Sequence, residues 1–308
     1  MCTVPGQLAT EIRLFTRADR DQLVELVNAH IAAVVPGWSL PVSALLAQLE
    51  REPAEYVVDP WVVDRVTFVA VVRDRLVAAA HLRRYGTDSR VMPDFYDAGE
   101  IKWLIGWPHR MEAAHALAKA CVGQLEKWGV KRQWASGDLP SPATFGIPDA
   151  WPHVRAVVVG AGFSDRAGHD GIRFAGTLDG LAPPGPPPVA GLTVRREVDN
   201  LATRFTGLLD GAVVGYVNAQ GDLTGGGTVS RVTRWCALRE RFVEPAYRRR
   251  GIGTWLVRHA IEWQQLGGAD RVLVPLGSPH DDPPEFYEQF GWREIGRTRG
   301  RWERVPSG

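Results

Sequence analysis

Apolar positions fall into two successive blocks along the chain, and each block predicts nearly the same series of elements. In the first, residues 11–16 read as a strand and residues 19–30 as a helix, with Leu23, Leu26 and Val27 at helical spacing. Residues 42–50 predict a second helix. Residues 66–72 and 76–82 are β-rich runs on either side of Arg73-Asp74-Arg75, the pattern of a hairpin. Residues 101–107 predict a strand halted by Pro108. Residues 111–128 predict a long amphipathic helix ended by Gly129, which suits a left-handed cap. A strand at 132–135 and an apolar piece at 154–163 complete the block.

The second block repeats this order. Residues 192–197 predict a strand, and 205–209 with 212–219 a hairpin across Asp210-Gly211. Residues 237–243 predict a strand stopped by Pro245, 251–266 a helix closed by Gly267, and 271–276 a further strand. A short helix at 285–290 precedes Gly291-Trp292, and 297–304 predict a last strand. A shift of 138 residues places Arg110 on Arg248 and Trp128-Gly129 on Leu266-Gly267. A shift of 129 places Gly162-Phe163 on Gly291-Trp292. The chain is therefore expected to be two copies of one αβ unit. Between them, residues 182–191 hold five prolines in ten positions, which predicts an extended, semi-rigid linker. The expected division is residues 1–181, the linker 182–191, and residues 192–308. The fold class is α/β (α+β), with two mixed-sheet domains in tandem.

Composition narrows the field without deciding it. With 308 residues, 45% apolar and 23% charged, each block is long enough for its own core. A net charge of +1 gives no reason to expect nucleic acid or an anionic membrane as partner. Three widely spaced cysteines, Cys2, Cys121 and Cys236, fit reduced thiols, and no secretory signal or membrane span is visible, so a cytoplasmic location is expected.

One stretch carries recognisable chemistry. In Val243-Glu244-Pro245-Ala246-Tyr247-Arg248-Arg249-Arg250-Gly251-Ile252-Gly253, a strand ends and arginines and two glycines lead straight into a helix. Helix N-termini present unpaired N–H groups and the positive end of the dipole, which suits a phosphate anion. Gly251 and Gly253 leave the backbone open to close approach. The plainer alternative is a solvated basic turn. A dinucleotide fingerprint fails because Leu256 stands where a third glycine is needed, and no P-loop lysine and hydroxyl come after the glycines.

These residues resemble the GCN5-related N-acetyltransferase (GNAT) family. Arg248, Gly251 and Gly253 match its Arg/Gln-x-x-Gly-x-Gly/Ala signature, preceded by Val243-Glu244-Pro245. The family's later Phe-Tyr-x-x-x-Gly-Phe is matched by Phe286-Tyr287-Glu288-Gln289-Phe290-Gly291-Trp292. The resemblance implies a coenzyme A site between two parallel strands. Its pyrophosphate would lie on the amides around Arg249, Arg250, Gly251, Ile252, Gly253 and Thr254, and Arg248, Phe242, Val243, His280 and Phe286 would also contact the cofactor. It further implies that the Val243 amide polarises the thioester carbonyl at a β-bulge, that Tyr287 protonates the departing thiolate, and that an amine attacks directly. Glu240, just before that bulge, is the candidate base, against the alternative of a surface carboxylate paired with Arg239 or Arg241; Glu244 is a weaker candidate.

The resemblance has departures. His280 stands where the family often has Asn, and Pro283 where it has Ala. The segment 198–204 is too short for the two helices that usually follow the first strand. The first copy reads Arg110-x-x-Ala113-x-His115 at the glycine positions and Val157-Val158 at the Phe-Tyr position, so it is expected to be inert. His280-Asp281-Asp282 is expected to be a polar loop, with no metal site, and Cys236, Trp235, Trp255 and Trp263 to be packing residues. The expected activity is acetyl transfer from acetyl-CoA to a small-molecule amine. A non-catalytic acyl-CoA-binding module and a protein lysine or N-terminal acetyltransferase are the alternatives.

Overall fold

A computed structural model describes residues 9–50, 61–89, 91–139, 146–166, 170–198, 202–221, 234–277 and 283–305. The chain forms two compact units, Met1–Asp170 with Thr298–Gly308, and Gly171–Arg297. Among the described residues, no helix is long and apolar enough to cross a membrane.

The first unit contains β1 (Glu11–Leu14), α1 (Arg20–Ala32), α2 (Val42–Leu49), β2 (Val62–Val72), β3 (Arg75–Tyr85), β4 (Ala98–Gly106), α3 (Met111–Trp128), β5 (Arg132–Ala135), β6 (Ile147–Pro148), α4 (Pro152–Gly160) and β7 (Ser164–Asp165). The second contains β8 (Gly171–Thr177), β9 (Thr193–Val198), β10 (Thr203–Leu209), β11 (Ala212–Gln220), β12 (Trp235–Val243), α5 (Ile252–Leu266), β13 (Arg271–Leu276), α6 (Glu285–Glu288) and β14 (Arg293–Arg299). The last strand, β15 (Trp302–Arg304), belongs to the first unit.

Both sheets are built on one plan. β1 to β4 form an antiparallel meander, α3 crosses over, and β5 returns parallel to β4. β9 to β12 form the second meander, α5 crosses over, and β13 returns parallel to β12. Each hairpin turns through two residues with positive φ, Arg73 (49°) and Asp74 (60°) in one and Asp210 (50°) and Gly211 (81°) in the other. Positive φ at both central residues matches the right-handed strand twist. The segment between β9 and β10 leaves no room for the two helices α1 and α2 that the first unit places after its own first strand.

The strand that completes each sheet comes from outside the block expected to supply it. β15 lies antiparallel to β5, with Trp302 opposite Ala135, and β7 closes the order β1-β2-β3-β4-β5-β15-β7. β8, from before the proline-rich stretch, lies antiparallel to β13 along its whole length, giving β9-β10-β11-β12-β13-β8-β14. The compact units therefore differ from the expected division at residues 171–181 and at the last eleven positions, 298–308. β8 escapes the sequence pattern because Gly176 interrupts the face of Ile172 and Phe174, and Gly171 and Arg173 stand on the other. Gly176 is required there: a Cβ would fall 2.2 Å from the Trp292 ring. The expected strand at 297–304 is two strands, broken at Gly300 and Arg301.

The proline-rich stretch is irregular, as expected of prolines, and it packs within the second unit. The Trp255 indole donates to the Gly185 carbonyl (2.9 Å), and Val189 packs against the core. That core brings together Phe205, Val217, Leu238, Leu256, Val272 and Phe174 between the sheet and α5. α5 ends at Gly267, as expected, in the right-handed region, and the left-handed residue is the next one, Gly268 (φ 90°).

In the first unit, His30 on α1 is buried. Its Nδ1 lies 2.8 Å from the Leu26 carbonyl and its Nε2 3.1 Å from His153 Nε2. A carbonyl only accepts, so Nδ1 carries the proton and His153 donates to Nε2. Burial pushes His30 down to about 4, with His153 acting in the same direction and the Leu26 carbonyl opposing. The unfolded chain binds a proton near pH 6.5 that the folded unit refuses. This contribution to stability is thus complete above pH 6.5 and is lost as pH falls towards 4, on the order of 2–3 kcal/mol. Chemical denaturation between pH 7 and 4 checks this, with His30→Gln expected to flatten the dependence. Trp302→Ala is expected to destabilise the first unit by about 3–5 kcal/mol. Hydrogen exchange should then lose protection at β5 and keep it at β13.

Candidate active site

The site begins where two parallel strands part. β12 and β13 pair at Trp235↔Arg271, Cys236↔Val272 and Ala237↔Leu273 only. β13 runs on against β8 to Leu276, while β12 runs on against β11 to Val243. A gap opens between them after Ala237.

A β-bulge shapes the edge of this gap. The register between β11 and β12 moves from Ala219↔Leu238 to Val217↔Arg241, so Asn218 alone opposes Arg239 and Glu240. The extra residue reverses the alternation of side chains. Leu238 faces α5; beyond the bulge it is Arg241 and Val243, not Glu240 and Phe242, that share its face. The bulge therefore lies at Arg239–Glu240, before the position expected from the sequence, and Val243 pairs in regular register with Gly215.

The chain then turns through the arginines into α5. Arg248 Nε donates to the Val243 carbonyl (2.8 Å), tying the loop back to the strand end. Arg249 has φ 57° and Gly251, the N-cap, φ 80°. Alternation of left-handed with ordinary residues turns successive N–H groups to one side, the geometry of an anion nest. The Trp255 N–H bonds to the Gly251 carbonyl, and no side chain caps the helix. Helix geometry thus leaves the amides of Ile252, Gly253 and Thr254 without intrahelical acceptors. A Cβ on Gly253 would touch Phe286 and Val243, each at 3.6 Å, so the glycine keeps the first turn close to both. Arg250 lies over the Tyr247 ring, and Thr254 Oγ1 donates to Gln289.

α6 brings Tyr287 into the core on the α5 side of the sheet. Its ring is 0% exposed, between Phe174 and Phe286 and near Trp292. Its hydroxyl is buried and has no hydrogen-bond partner among the described residues. The Arg241 guanidinium sits 4.4 Å from the ring centroid.

Residues 203–294 match the family model described as an acetyltransferase (GNAT) domain. That stretch is similar to GNAT acetyltransferase domains. An uncharacterized N-acetyltransferase of Methanocaldococcus jannaschii is 37% identical over 68 residues, a match spanning 22% of this chain and only 30% of that relative. Among solved structures, a tandem GNAT protein from the clavulanic acid biosynthesis pathway superposes with a TM-score of 0.66 at 15% identity, over 97% of this chain and 100% of the other. A GCN5-related N-acetyltransferase from Sphaerobacter thermophilus gives 0.63 at 14% identity, over 99% and 98%. At such identity these likenesses establish the fold alone, two mixed αβ sheets of the kind seen in tandem GNAT proteins.

Within the matched stretch the structure gathers most of the expected residues. Val243, Arg248, Arg249, Arg250, Gly251, Ile252, Gly253, Thr254, Phe286 and Tyr287 lie along the end of β12, the loop, α5 and α6. Phe242 points to the opposite face, its ring 5.9 Å from Tyr216. Glu240 is on that face too, exposed, accepting from Asn218 (3.2 Å) and 3.9 Å from Arg204. His280, with Asp281 and Asp282, lies outside the described residues. Cys236 is fully buried, and burial pushes its thiol up to about 12, which makes it a packing residue. Arg241, Asn218 and Arg204 were not legible as site residues: the bulge decides the face of Arg241, and strand pairing brings Asn218 and Arg204 beside Glu240.

The same elements in the first unit are closed. β4 and β5 pair from Ala98↔Arg132 to Ile101↔Ala135, and bonding then continues: Ser136 N–H donates to Ile101 and Asp138 N–H to Lys102. Lys102 pairs with the Asp138 carboxylate at 2.7 Å, and Asp138 also accepts the Gly146 amide. Buried Glu100 accepts from Tyr85 (2.5 Å) and Ser136. Burial works against the Lys102 ammonium, yet Asp138 and Glu100 outweigh it and keep the group charged. No residue from Trp107 to Ala113 has positive φ, so the nest is absent there. Lys102→Met strands the buried Asp138 and is expected to cost the first unit about 3 kcal/mol in chemical denaturation.

Proposed function

We propose that the second unit is an acetyl-CoA-dependent N-acetyltransferase acting on the primary amine of a small molecule. The observation that carries it is the Tyr287 hydroxyl, buried in the core beside the strand gap without a partner among the described residues. A buried hydroxyl left unsatisfied costs about 1–3 kcal/mol, so a ligand that supplies its partner recovers that penalty. The backbone nest at Arg249–Gly251 and the open amides of α5 fit a pyrophosphate at the other end of the same gap.

Acetyl-CoA, when bound, supplies the activated acyl carbonyl. The amides of Arg249 to Thr254 hold the diphosphate, with the arginine side chains adding positive charge. Backbone groups of β12 beyond Ala237 orient the extended arm, because β13 no longer pairs with them. Tyr287 stands on the helix face of the sheet and holds a proton for the leaving sulfur. Glu240 stands on the opposite face, which neither α5 nor α6 covers, with Asn218, Arg204 and Tyr216 around it. The candidate acid and base thus stand on opposite faces of the sheet. Glu240, held by Asn218, accepts the amine proton directly or through one water.

Calorimetric titration of acetyl-CoA is expected to give one site per chain, abolished in Gly251→Glu. Tyr287→Phe is expected to bind acetyl-CoA within about threefold of wild type and to lower kcat towards a good amine about 100-fold. Absence of binding overturns the proposal. Binding without transfer to any amine leaves a non-catalytic acyl-CoA module, and transfer to lysines of peptides in preference to small amines moves the acceptor class.

A further inference from the structure

We infer that Arg241 is a positioning residue that sets how readily Tyr287 gives up its proton; this rests on the acyltransfer reading of the same gap. The bulge at Arg239–Glu240 is what turns Arg241 towards Tyr287. Its guanidinium lies 4.4 Å from the Tyr287 ring centroid and 5.9 Å from that of Phe286, with Nε and Nη1 shielded from water. A cation over an aromatic face, away from water, interacts strongly with it, and more strongly when the ring carries negative charge.

Among the described residues, the other side chains in ring contact with Tyr287 are uncharged: Phe174 from β8, Phe286 from α6 and Trp292 beside β14. The packed residues of β12 and β13, Cys236, Val272 and Val274, are uncharged as well. From α5, Ile252, Leu256 and Ala260 join the same core. Glu285 and Glu288 flank Tyr287 on α6 itself, but both are exposed. Among the described residues, Arg241 is thus the charged side chain that lies against this phenol's ring. A phenol in an apolar core is a poor acid, because burial penalises its anion. A fixed cation against the ring offsets that penalty and brings the phenol closer to a thiol in acidity, the match that favours proton transfer.

In the transfer itself, the amine nitrogen forms the bond to the acyl carbon, the carbon–sulfur bond breaks, and sulfur takes the Tyr287 proton. The surplus proton on nitrogen passes to Glu240 or water, and solvent reprotonates the phenolate. Arg241 exchanges no proton.

The test compares full-length Arg241→Met, which fills space without charge, with Arg241→Lys, which keeps the charge. Tyrosine labelled with ¹³C at Cζ reports ionisation in the free protein, and Tyr287→Phe identifies the Tyr287 signal among the six tyrosines. Arg241→Met is expected to move the Tyr287 midpoint up by about one pH unit or more, with Arg241→Lys within about half a unit of wild type. In turnover, Arg241→Met should lower kcat about tenfold or more at neutral pH with KM for acetyl-CoA within about threefold, and Arg241→Lys should restore most of it. An unchanged midpoint in Arg241→Met, or equal shifts in both variants, overturns the inference. If Arg241→Met fails to fold, as judged by near-ultraviolet circular dichroism, Arg241→Gln takes its place under the same criteria. Because the titration needs no acyl donor, a shifted midpoint in a protein that binds no acetyl-CoA sinks the acyltransfer reading alone.

Discussion

The site depends on the parting of β12 from β13. Parallel strands gain from every ladder bond they form, and backbone groups left unbonded away from water are costly. A gap between two such strands persists only if neighbouring structure holds each strand separately. Here β8 holds β13 along its full length and β11 holds β12 to its end, so neither needs the other beyond Ala237. The strand that completes the sheet is thus also what allows the gap. It comes from before the proline-rich stretch, so the second block of sequence does not contain everything its sheet requires.

The bulge adds a second constraint on the same strand. Strict alternation from Leu238 would turn Glu240 and Phe242 towards the helices and leave Arg241 outside. The inserted residue reverses this and places a cation against Tyr287 and a carboxylate on the far face. One backbone irregularity thereby separates two charged groups that are adjacent in sequence, and gives each a different side of the gap.

Much of this was legible in the residues because it is local. The hairpins at Arg73-Asp74 and Asp210-Gly211, the helices from Met111 and Ile252, and the loop from Arg248 to Gly253 are written in turn residues, periodicity and glycine spacing. Those signals act within a few positions, and the structure obeys them. The exchange of β8 and β15 between blocks was not legible, because a strand's pattern says which face is apolar and not which strand it pairs with. Arg241 was hidden for a related reason: a bulge changes the face of every later residue without changing composition. Gly176 is fixed by packing that no local pattern shows, since a Cβ there would meet the Trp292 ring.

The two copies resolve the space between their parallel strands in opposite ways. In the first unit the corresponding strands stay bonded through Ser136 and Asp138, and polar side chains fill the space with an ion pair and hydrogen bonds to Glu100. Each of these polar groups has a partner within the protein, so the arrangement is complete by itself. In the second unit the strands stay apart, the helix amides stay open, and a phenol stays buried without a partner among the described residues. Such an arrangement is less stable than the closed one unless something else satisfies it. The same scaffold thus occurs once with its parallel strands bonded and the space between them filled by paired polar groups, and once with the strands parted. That contrast favours the second copy as the place where chemistry happens.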